Sequence, residues 1–304
     1  MPITISIITP CYNGSRYIRE TLQSALAQTH PPLEVIVIDD GSTDDSAALA
    51  ENAGPPVRVI RQTNQGESVA RNRGIAEARG SHVLFLDADD MLEPESLSML
   101  ARAVEGRPDV VALMGCGWFR SGEAPYDRVP PGAKQFYPEI IRGNLGPPHC
   151  WLAPLPLIRK VGGFCETMRW FEDWDLWWRV GLHASELVAV PYVGALYRQH
   201  AESQLATTRP ADRARGHVVL MTRMATELLQ RPDLLHRHAY PLFWNLWSSV
   251  KHARQRGVNW QELGPAADML RQVARHGSVA LKGVFMARAV RLLGTRTAVA
   301  LQIR

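Results

Sequence analysis

The segment Ser81–Asp90 (SHVLFLDADD) joins a short, unbroken apolar run to a cluster of carboxylates. The run Val83–Leu86 has the length and composition of a β-strand that is buried on both faces, as in a parallel sheet. Asp87, Asp89 and Asp90 follow at the point where that strand leaves the sheet. Three carboxylates so close together repel one another, so we expect a cation to compensate them.

Similar apolar runs alternate with segments of helical spacing along the first part of the chain. Strands are predicted at residues 3–9, 33–38, 57–61, 83–86 and 110–114, and helices at 17–26, 43–53, 65–79 and 94–104. This alternation is typical of βαβ units, so the sequence predicts an α/β fold with a Rossmann-like, mostly parallel sheet flanked by helices. Ligands of such sheets bind beyond the carboxyl ends of the strands. The residues that fall there are Pro10, Tyr12, Asp39, Asp40, Asp87 and Asp89.

The second part of the chain is less regular. Residues 118–148 are rich in glycine and proline and predict irregular structure with at most one strand. Residues 170–179 have helical spacing, and residues 187–190 and 193–197 have the composition of strands. Beyond about Thr208, Arg, His, Ala and Leu dominate and helical spacing persists. We therefore predict an α/β domain over residues 1–207 and a helical C-terminal extension over residues 208–304.

Composition limits the possible functions. The 304 residues are 46% hydrophobic and 21% charged, which is typical of a globular protein. A net charge of +4 is too small to indicate a nucleic-acid partner. The four cysteines form no CxxC pair, so neither a zinc site nor a disulfide framework is predicted. The first residues lack the pattern of a signal peptide, and no apolar run reaches bilayer length, so we expect a cytoplasmic protein that is soluble or at most peripheral to a membrane.

The acidic residues at the strand ends each have two interpretations. The cluster after residue 86 suits Mg²⁺ or Mn²⁺, which prefer oxygen ligands and commonly bind through one or two carboxylates plus substrate phosphates. Alternatively, Asp89 or Asp90 caps the helix predicted from Pro94. Asp39 and Asp40 can accept a hydrogen bond from a nucleobase or a ribose, or they form a plain turn into the next helix.

Arg71, the pair Glu172–Asp173 and His200 are further candidate site residues, each with a structural alternative. Arg71 lies on a predicted helix beside the sheet edge, where its donors suit a base or phosphate; its alternative is a solvated helix face. Glu172 and Asp173 lie among tryptophans, and burial would raise their pKa and make a better general base. Trp174 and Trp178 themselves are more typical of a core. His200, taken alone, is more typical of a surface residue.

Together these residues resemble the family 2 glycosyltransferases, the inverting enzymes of the GT-A fold. The matching segments occur in the family's order over about the first 200 residues: SIITPCYNG, EVIVIDDGSTDDS, NQGESVARNRGI, HVLFLDADD, VGGFCE, FEDWDLWWR and LYRQH. The resemblance implies a nucleotide-sugar donor, with UDP, GDP and dTDP all open. It also implies a divalent metal at a DxD motif formed by Asp87, Ala88 and Asp89.

The resemblance assigns roles to the remaining candidates. It implies donor contacts from Pro10, Tyr12, Asp40 and Arg71, a catalytic base at Asp173 beside Glu172, and a metal or diphosphate contact at His200. One difference is that Cys165–Glu166 follows Gly-Gly-Phe where the family usually has Asp-Glu. Because that segment borders the acceptor in the family, the acceptor class stays open between a polysaccharide, another glycan and a lipid-linked intermediate.

The mechanism implied is a single displacement. Asp173 takes the proton of an acceptor hydroxyl, the oxygen attacks the anomeric carbon opposite the diphosphate, and the configuration inverts. One alternative is a metal-dependent phosphohydrolase that uses the aspartate cluster. Against it, such a nucleophile normally follows the first strand of its domain, and no following threonine completes the motif. A second alternative is a nucleotide-sugar-binding module without activity.

The end of the chain suggests a membrane contact. After Asp268 there are no acidic residues, while basic and apolar residues alternate to residue 304. A basic amphipathic helix can lie on an anionic membrane, which would suit a lipid-linked acceptor. Packing on the catalytic domain, or on a second subunit of a homo-oligomer, is the alternative.

Overall fold

A computed structural model of the chain describes residues 2–120, 126–128, 136, 139–275, 290, 294 and 295. By its internal contacts the chain divides into two units. Unit 1 comprises Met1–Phe136, Asn144–Thr167 and Glu172–Ser203, and unit 2 comprises Tyr137–Gly143, Met168–Phe171 and Gln204–Arg304. The domain boundary after residue 207 stays a prediction.

A mixed β-sheet organises unit 1. Its strands are β1 (Ile5–Cys11), β2 (Glu34–Asp39), β3 (Val57–Arg61), β4 (His82–Phe85), β5 (Met91–Leu92), β6 (Val110–Phe119), β7 (Tyr126–Arg128), β8 (Trp151–Pro154) and β9 (Glu186–Arg198). Within the described residues they follow the order β3-β2-β1-β4-β8-β6-β9-β5, with β7 beside β6. Strands β1, β2 and β4 are buried along their whole length, and for β4 this agrees with the unbroken apolar run at residues 83–86.

Parallel pairing covers the predicted βα units. β1 pairs in parallel with β2 and β4, and β2 pairs in parallel with β3. β8 joins β4 to β6 through antiparallel pairs, while β6 and β9 are parallel. The α/β fold class is therefore confirmed.

Six α-helices in the described part of unit 1 flank this sheet. They are α1 (Ile18–Leu26), α2 (Ser46–Glu51), α3 (Glu67–Glu77), α4 (Ser96–Val104), α6 (Leu155–Lys160) and α7 (Glu172–Gly181). A 3₁₀ turn at Pro148–Cys150 leads into β8.

Unit 2 is helical in the part that the structure describes. It contains α5 (Glu139–Arg142), α8 (Gln204–Thr207), α9 (Pro210–Leu229), α10 (Pro232–Gln255) and α11 (Trp260–Arg275). The predicted helical extension is confirmed for α9, α10 and α11. In the described residues we find no helix with both the length and the hydropathy to cross a membrane.

Gly74 allows α3 to pack closely on β1. A Cβ at this position would overlap Ile8 Cγ2. We expect Gly74→Ala to lower the free energy of unfolding by about 1–3 kcal/mol, the usual effect of overpacking. Urea unfolding measures the change. Gly264→Ala in α11 is the matched control, because a Cβ there meets nothing within 4 Å. Equal stability of the two variants would contradict the expected overlap.

Candidate functional site

The carboxyl ends of β1, β2 and β4 lie side by side, because these strands are parallel neighbours. Cys11 is the register partner of Asp39, and the Asp40 amide donates to the Cys11 carbonyl at 2.8 Å. Asp39 and Asp40 are buried, whereas Tyr12 is 54% exposed. The predicted donor-contacting residues after β1 and β2 are thus brought together at one edge of the sheet.

Asp40 is engaged within the protein at both carboxylate oxygens. Its Oδ1 accepts from Gln62 Nε2 at 2.8 Å and from the Gln65 amide at 2.9 Å, and its Oδ2 accepts from the Gly66 amide at 2.8 Å. These bonds fix the loop between β3 and α3. The observed role of Asp40 is therefore structural, and its contact with a base stays a prediction.

Ala88 and Asp90, which follow β4, contact different parts of the protein. The Ala88 carbonyl accepts from Thr21 Oγ1 at 2.9 Å. Asp90 is buried; its Oδ1 accepts from the Arg198 amide at 2.8 Å, and its Oδ2 lies 3.2 Å from His149 Nδ1. Helix α4 follows Glu95 and begins without a side-chain capping bond. The helix-cap interpretation of Asp90 is therefore wrong, because its carboxylate joins β9 and the 3₁₀ turn instead.

Asp89 and His200 meet although they are far apart in the sequence. Asp89 Oδ2 lies 2.9 Å from His200 Nε2, and the Tyr17 ring lies 4.8 Å from the imidazole. The Asp89 side chain is 35% exposed and that of His200 is 14% exposed. Both predicted ligands therefore face each other at the protein surface, and the capping alternative does not apply to Asp89.

A second arrangement of acids and a histidine lies behind them. The potential ligand atoms of Asp87, Asp90 and His149 lie within 4.8 Å of one another, and in the described residues this is the only group of three that could hold a metal. The set Asp87, Asp89 and His200 does not form such a group. His149 is fully buried, and neither of its ring nitrogens makes a hydrogen bond of good geometry. Burial disfavours its charge, but the Asp90 carboxylate outweighs this and raises the pKa of His149 to about 9.

Arg71 is buried among three acids. Its guanidinium donates to Asp87 at 2.7 Å, to Glu172 at 3.3 Å and to Glu67 one helical turn away. Only 2% of the side chain is exposed, so the solvated-face alternative is wrong. The carboxylates raise the pKa of Arg71 despite burial, which keeps the residue charged. Its contact with a base or phosphate stays a prediction, and its observed role is to tie α3 to the segments carrying Asp87 and Glu172.

Glu172 and Asp173 are the first two residues of α7. Burial, with Glu67 nearby, raises the pKa of Glu172 to about 8. Burial also raises the pKa of Asp173, although hydrogen bonds from Asn144 Nδ2 and the Trp174 amide, each 2.7 Å, act in the opposite direction. The environment predicted for this acid pair is observed.

The sequence interpretation missed three contributors to this site. Glu67 precedes Arg71 by four residues on α3, a spacing that favours an ion pair and could have identified it. Asn144 and His149 lie in or next to the segment that showed no periodicity. No sequence signal pointed to either of them. Trp174 and Trp178 are buried, which confirms their assignment to the core.

Known proteins share both sequence and architecture with this chain. The family model described as Glycosyl transferase family 2 matches residues 6–153. The uncharacterized glycosyltransferase alr2836 of Nostoc sp. is 42% identical over 114 residues, which cover 36% of this chain and 35% of that protein. The chain thus matches only about a third of the length of this relative.

Two solved structures are similar over nearly the whole chain. S. aureus TarS 1–349 in complex with UDP-GlcNAc has a TM-score of 0.75 at 21% identity, covering 98% of this chain and 90% of that one. The mannosyltransferase PcManGT from Pyrobaculum calidifontis, in complex with GDP-Man and Mn²⁺, has a TM-score of 0.58 at 17% identity, covering 99% and 87%. At these identities the likeness shows the fold alone, and it confirms the predicted GT-A architecture.

The stretch matched by the family model runs from β1 into β8 and contains Asp40, Arg71 and the Asp87–Ala88–Asp89 motif. This match does not favour the phosphohydrolase alternative. Residues 6–153 are therefore similar in sequence to glycosyl transferase family 2, and the fold of the chain is the GT-A fold.

Proposed function

We propose that this protein is an inverting glycosyltransferase that moves a sugar from a nucleoside-diphosphate sugar to an acceptor hydroxyl. One observation carries the proposal: the buried guanidinium of Arg71 bonds both Asp87 at 2.7 Å and Glu172 at 3.3 Å. The acids after β4 and the acids that begin α7 therefore belong to one site. Sugar transfer needs a donor-binding site and a general base next to each other, and this link brings the proposed donor site close to the helix that carries Asp173.

The donor would lie at the carboxyl ends of β1, β2 and β4. The residues proposed to contact it are Pro10, Tyr12, Asp39, Asp40, Arg71, Asp87 and Ala88. The exposed ring of Tyr12 can pack against a base, while Asp40 holds the loop before α3 in place. TarS was solved with UDP-GlcNAc and PcManGT with GDP-Man, so relatives in fold bind different bases.

Asp87, Asp89 and His200 are proposed to hold a divalent metal, Mg²⁺ or Mn²⁺. The ligand types suit such an ion, because carboxylate oxygens are its preferred ligands and imidazole suits Mn²⁺ as well. In the structure Asp87 is turned to Arg71 and forms no single ligand group with Asp89 and His200, so its carboxylate would have to move to join them. Asp89 Oδ2 and His200 Nε2 lie 2.9 Å apart. A bound cation would neutralise charge on the diphosphate leaving group.

Asp173 is proposed to act as the general base. It would take the proton of the acceptor hydroxyl while that oxygen bonds to the anomeric carbon and the bond from this carbon to the diphosphate breaks. The raised pKa of this half-buried carboxylate supports this role, since a base with a pKa nearer the working pH accepts a proton more effectively. Glu172 would stay beside it, paired with Arg71.

The acceptor is proposed to be a glycan or a lipid-linked intermediate, as in polysaccharide biosynthesis. In this proposal residues 1–207 carry the reaction and residues 208–304 form the extension. Peripheral contact of the basic tail with a membrane stays a prediction, because residues 276–304 lie outside the described residues except for 290, 294 and 295. Homo-oligomer formation is likewise a prediction.

A screen of UDP-, GDP- and dTDP-sugars tests the proposal. We expect at least one of them, with Mn²⁺, to raise the melting temperature and to release nucleoside diphosphate only when an acceptor is present. Inorganic phosphate released from monoesters would instead support the phosphohydrolase. Donor binding without turnover on glycan and lipid-linked acceptors would indicate a binding module.

We expect Asp89→Asn to weaken Mn²⁺ binding by about 10- to 100-fold, because the amide replaces a charged ligand by a neutral one. The amide keeps the shape of the side chain and can still bond His200. Calorimetric titration of Mn²⁺ in the presence of UDP measures the effect without turnover. Asp109→Asn, at an exposed aspartate, is the control. Equal Mn²⁺ affinity of both variants would exclude Asp89 as a ligand.

A further inference from the structure

Both carboxylate oxygens of Asp173 are held by specific donors. Oδ1 accepts from the Trp174 amide at 2.7 Å, and Oδ2 accepts from Asn144 Nδ2 at 2.7 Å. The Trp174 amide belongs to the backbone of the same helix, so it would be present whatever residue occupied position 173. Asn144 is different, because it approaches from another segment of the chain and contributes its side chain alone.

The side chain of Asn144 can face Asp173 in only one way. A carboxylate is a pure acceptor, so the NH₂ group must point toward it. The Asn144 Oδ1 then accepts from the Gly146 amide at 3.5 Å, and the Gly146 carbonyl accepts from Trp151 Nε1 at 3.1 Å. These contacts within residues 144–151 therefore orient the NH₂ group of Asn144 toward Asp173.

This segment is also fixed relative to α7. Trp151, in β8, is fully buried and stacks on Trp177 of α7 with ring centroids 4.6 Å apart. Trp177 lies on α7, the helix that carries Asp173, so this aromatic contact connects the segment of Asn144 to the helix of Asp173. The bond between Asn144 and Asp173 thus joins two elements that are held rigidly by other contacts.

We infer that Asn144 is a positioning residue for the base, holding the Asp173 carboxylate in one orientation and favouring its ionised form. The inference rests on the proposed role of Asp173. Burial favours the protonated acid, and a hydrogen bond donated to the carboxylate opposes this. With Oδ2 fixed by Asn144 and Oδ1 by the Trp174 amide, the carboxylate cannot rotate, and the same lone pairs stay free for the acceptor hydroxyl.

A purely structural role for Asn144 predicts different behaviour. Its side chain is exposed, so truncation opens no cavity, and the Trp151 contacts remain. A structural role would lower stability without changing the pH dependence of transfer. A positioning role changes the pH dependence in a defined direction. The base acts when ionised, so activity falls as the pH drops through its pKa, and loss of a donor raises that pKa. The acid limb of kcat/KM should therefore move to higher pH.

Kinetics of Asn144→Ala, Asn144→Asp and the control Asn52→Ala test the inference. Asn52 is exposed and remote in sequence from Asp173. We expect Asn144→Ala to lower kcat by about 10- to 100-fold, part of the effect of a general base, with the donor KM changed less than about twofold. Asn144→Asp should move the acid limb further, because a carboxylate replaces the donor and repels Asp173. Wild-type kcat and an unchanged acid limb in both variants would overturn the inference.

A measurement without turnover separates this inference from the proposed function. In protein labelled with ¹³C-aspartate, the Asp173 carboxyl signal is assigned by its loss in Asp173→Asn. We expect it to titrate at higher pH in Asn144→Ala than in wild type or Asn52→Ala. If wild type transfers no sugar but this titration moves, the proposed function fails while the link between Asn144 and Asp173 holds. An unmoved titration overturns the inference whatever the activity.

Discussion

Replacing Asp173 with Asn should reduce sugar transfer by about 10²- to 10⁴-fold, the contribution of a well-placed general base. The amide has the shape of the carboxylate but cannot take a proton from the acceptor hydroxyl. Donor affinity should stay near that of wild type, because in the proposed site the donor contacts the residues after β1, β2 and β4. Initial rates at saturating donor and calorimetric donor binding measure the two effects.

Asp175→Asn is the matched control on the same helix. Asp175 is buried and pairs with Arg179 at 2.8 Å, one turn along α7. Its replacement should lower stability with little change in kcat, whereas Asp173→Asn should retain stability, because a neutral amide is less costly to bury than a carboxylate. Full transfer activity in Asp173→Asn would remove Asp173 as the base. Equal losses of kcat in both variants would point to disturbance of α7 instead.

Much of unit 1 could be predicted from the sequence because its strands are unusually clear. β3 begins and ends as predicted, and β1, β2 and β4 lie within two residues of their predicted bounds. β1, β2 and β4 are buried along their length and, like β3, are rich in Ile, Val and other strand-forming residues, so each stands out between polar turns. The parallel arrangement then implied that their carboxyl ends meet, and the acids found there could be grouped without coordinates.

The second half of the sheet escaped prediction for physical reasons. The segments 187–190 and 193–197 were predicted as two strands, but they form the single strand β9. Pro191 separates them, and a proline supplies no backbone donor to a sheet. The pairing with β6 continues past it with register shifts around Gly115. Strand β8 was missed because four residues are too few to show a period.

The acidic residues of the site could be predicted from the sequence, but the residues that contact them could not. Acids at strand ends follow from topology, but the hydrogen bond between Asn144 and Asp173 and the ion pair between His149 and Asp90 join segments whose approach depends on packing. The family resemblance also implied that Arg71 contacts the sugar donor. In the structure Arg71 forms ion pairs with three carboxylates, so its observed role is to neutralise these acids inside the protein.

Loss of the Arg71 charge should therefore affect stability strongly. Arg71→Met keeps the length of the side chain but leaves Glu67, Asp87 and Glu172 without their common cation. Removing one partner from a buried ion pair typically costs about 3–5 kcal/mol. The same change should abolish transfer, since Asp87 and Glu172 would no longer be held together. Urea unfolding measures the loss of stability, and initial rates measure the loss of transfer.

The loss of stability should depend on pH. Even beside Arg71, the pKa is raised to about 7 for Glu67 and to about 8 for Glu172, well above the usual glutamate value of 4.5. Without the cation both pKa values rise further. A carboxyl whose pKa is higher in the folded state binds protons more tightly there, so stability falls as the pH rises from the unfolded value through the folded one. The difference between wild type and Arg71→Met should thus be smaller at pH 5 than at pH 8.

Arg73→Met provides the control on the same helix. Arg73 is 53% exposed and pairs with Glu77 at 3.0 Å, an arrangement that contributes only about 0.3–0.5 kcal/mol. Its loss should be small and nearly independent of pH. If Arg71→Met were destabilised equally at pH 5 and pH 8, the effect would come from packing against Phe164, whose ring lies 4.9 Å from the guanidinium, and not from charge. A large difference confined to the higher pH would instead identify Arg71 as the cation that keeps these acids in one site.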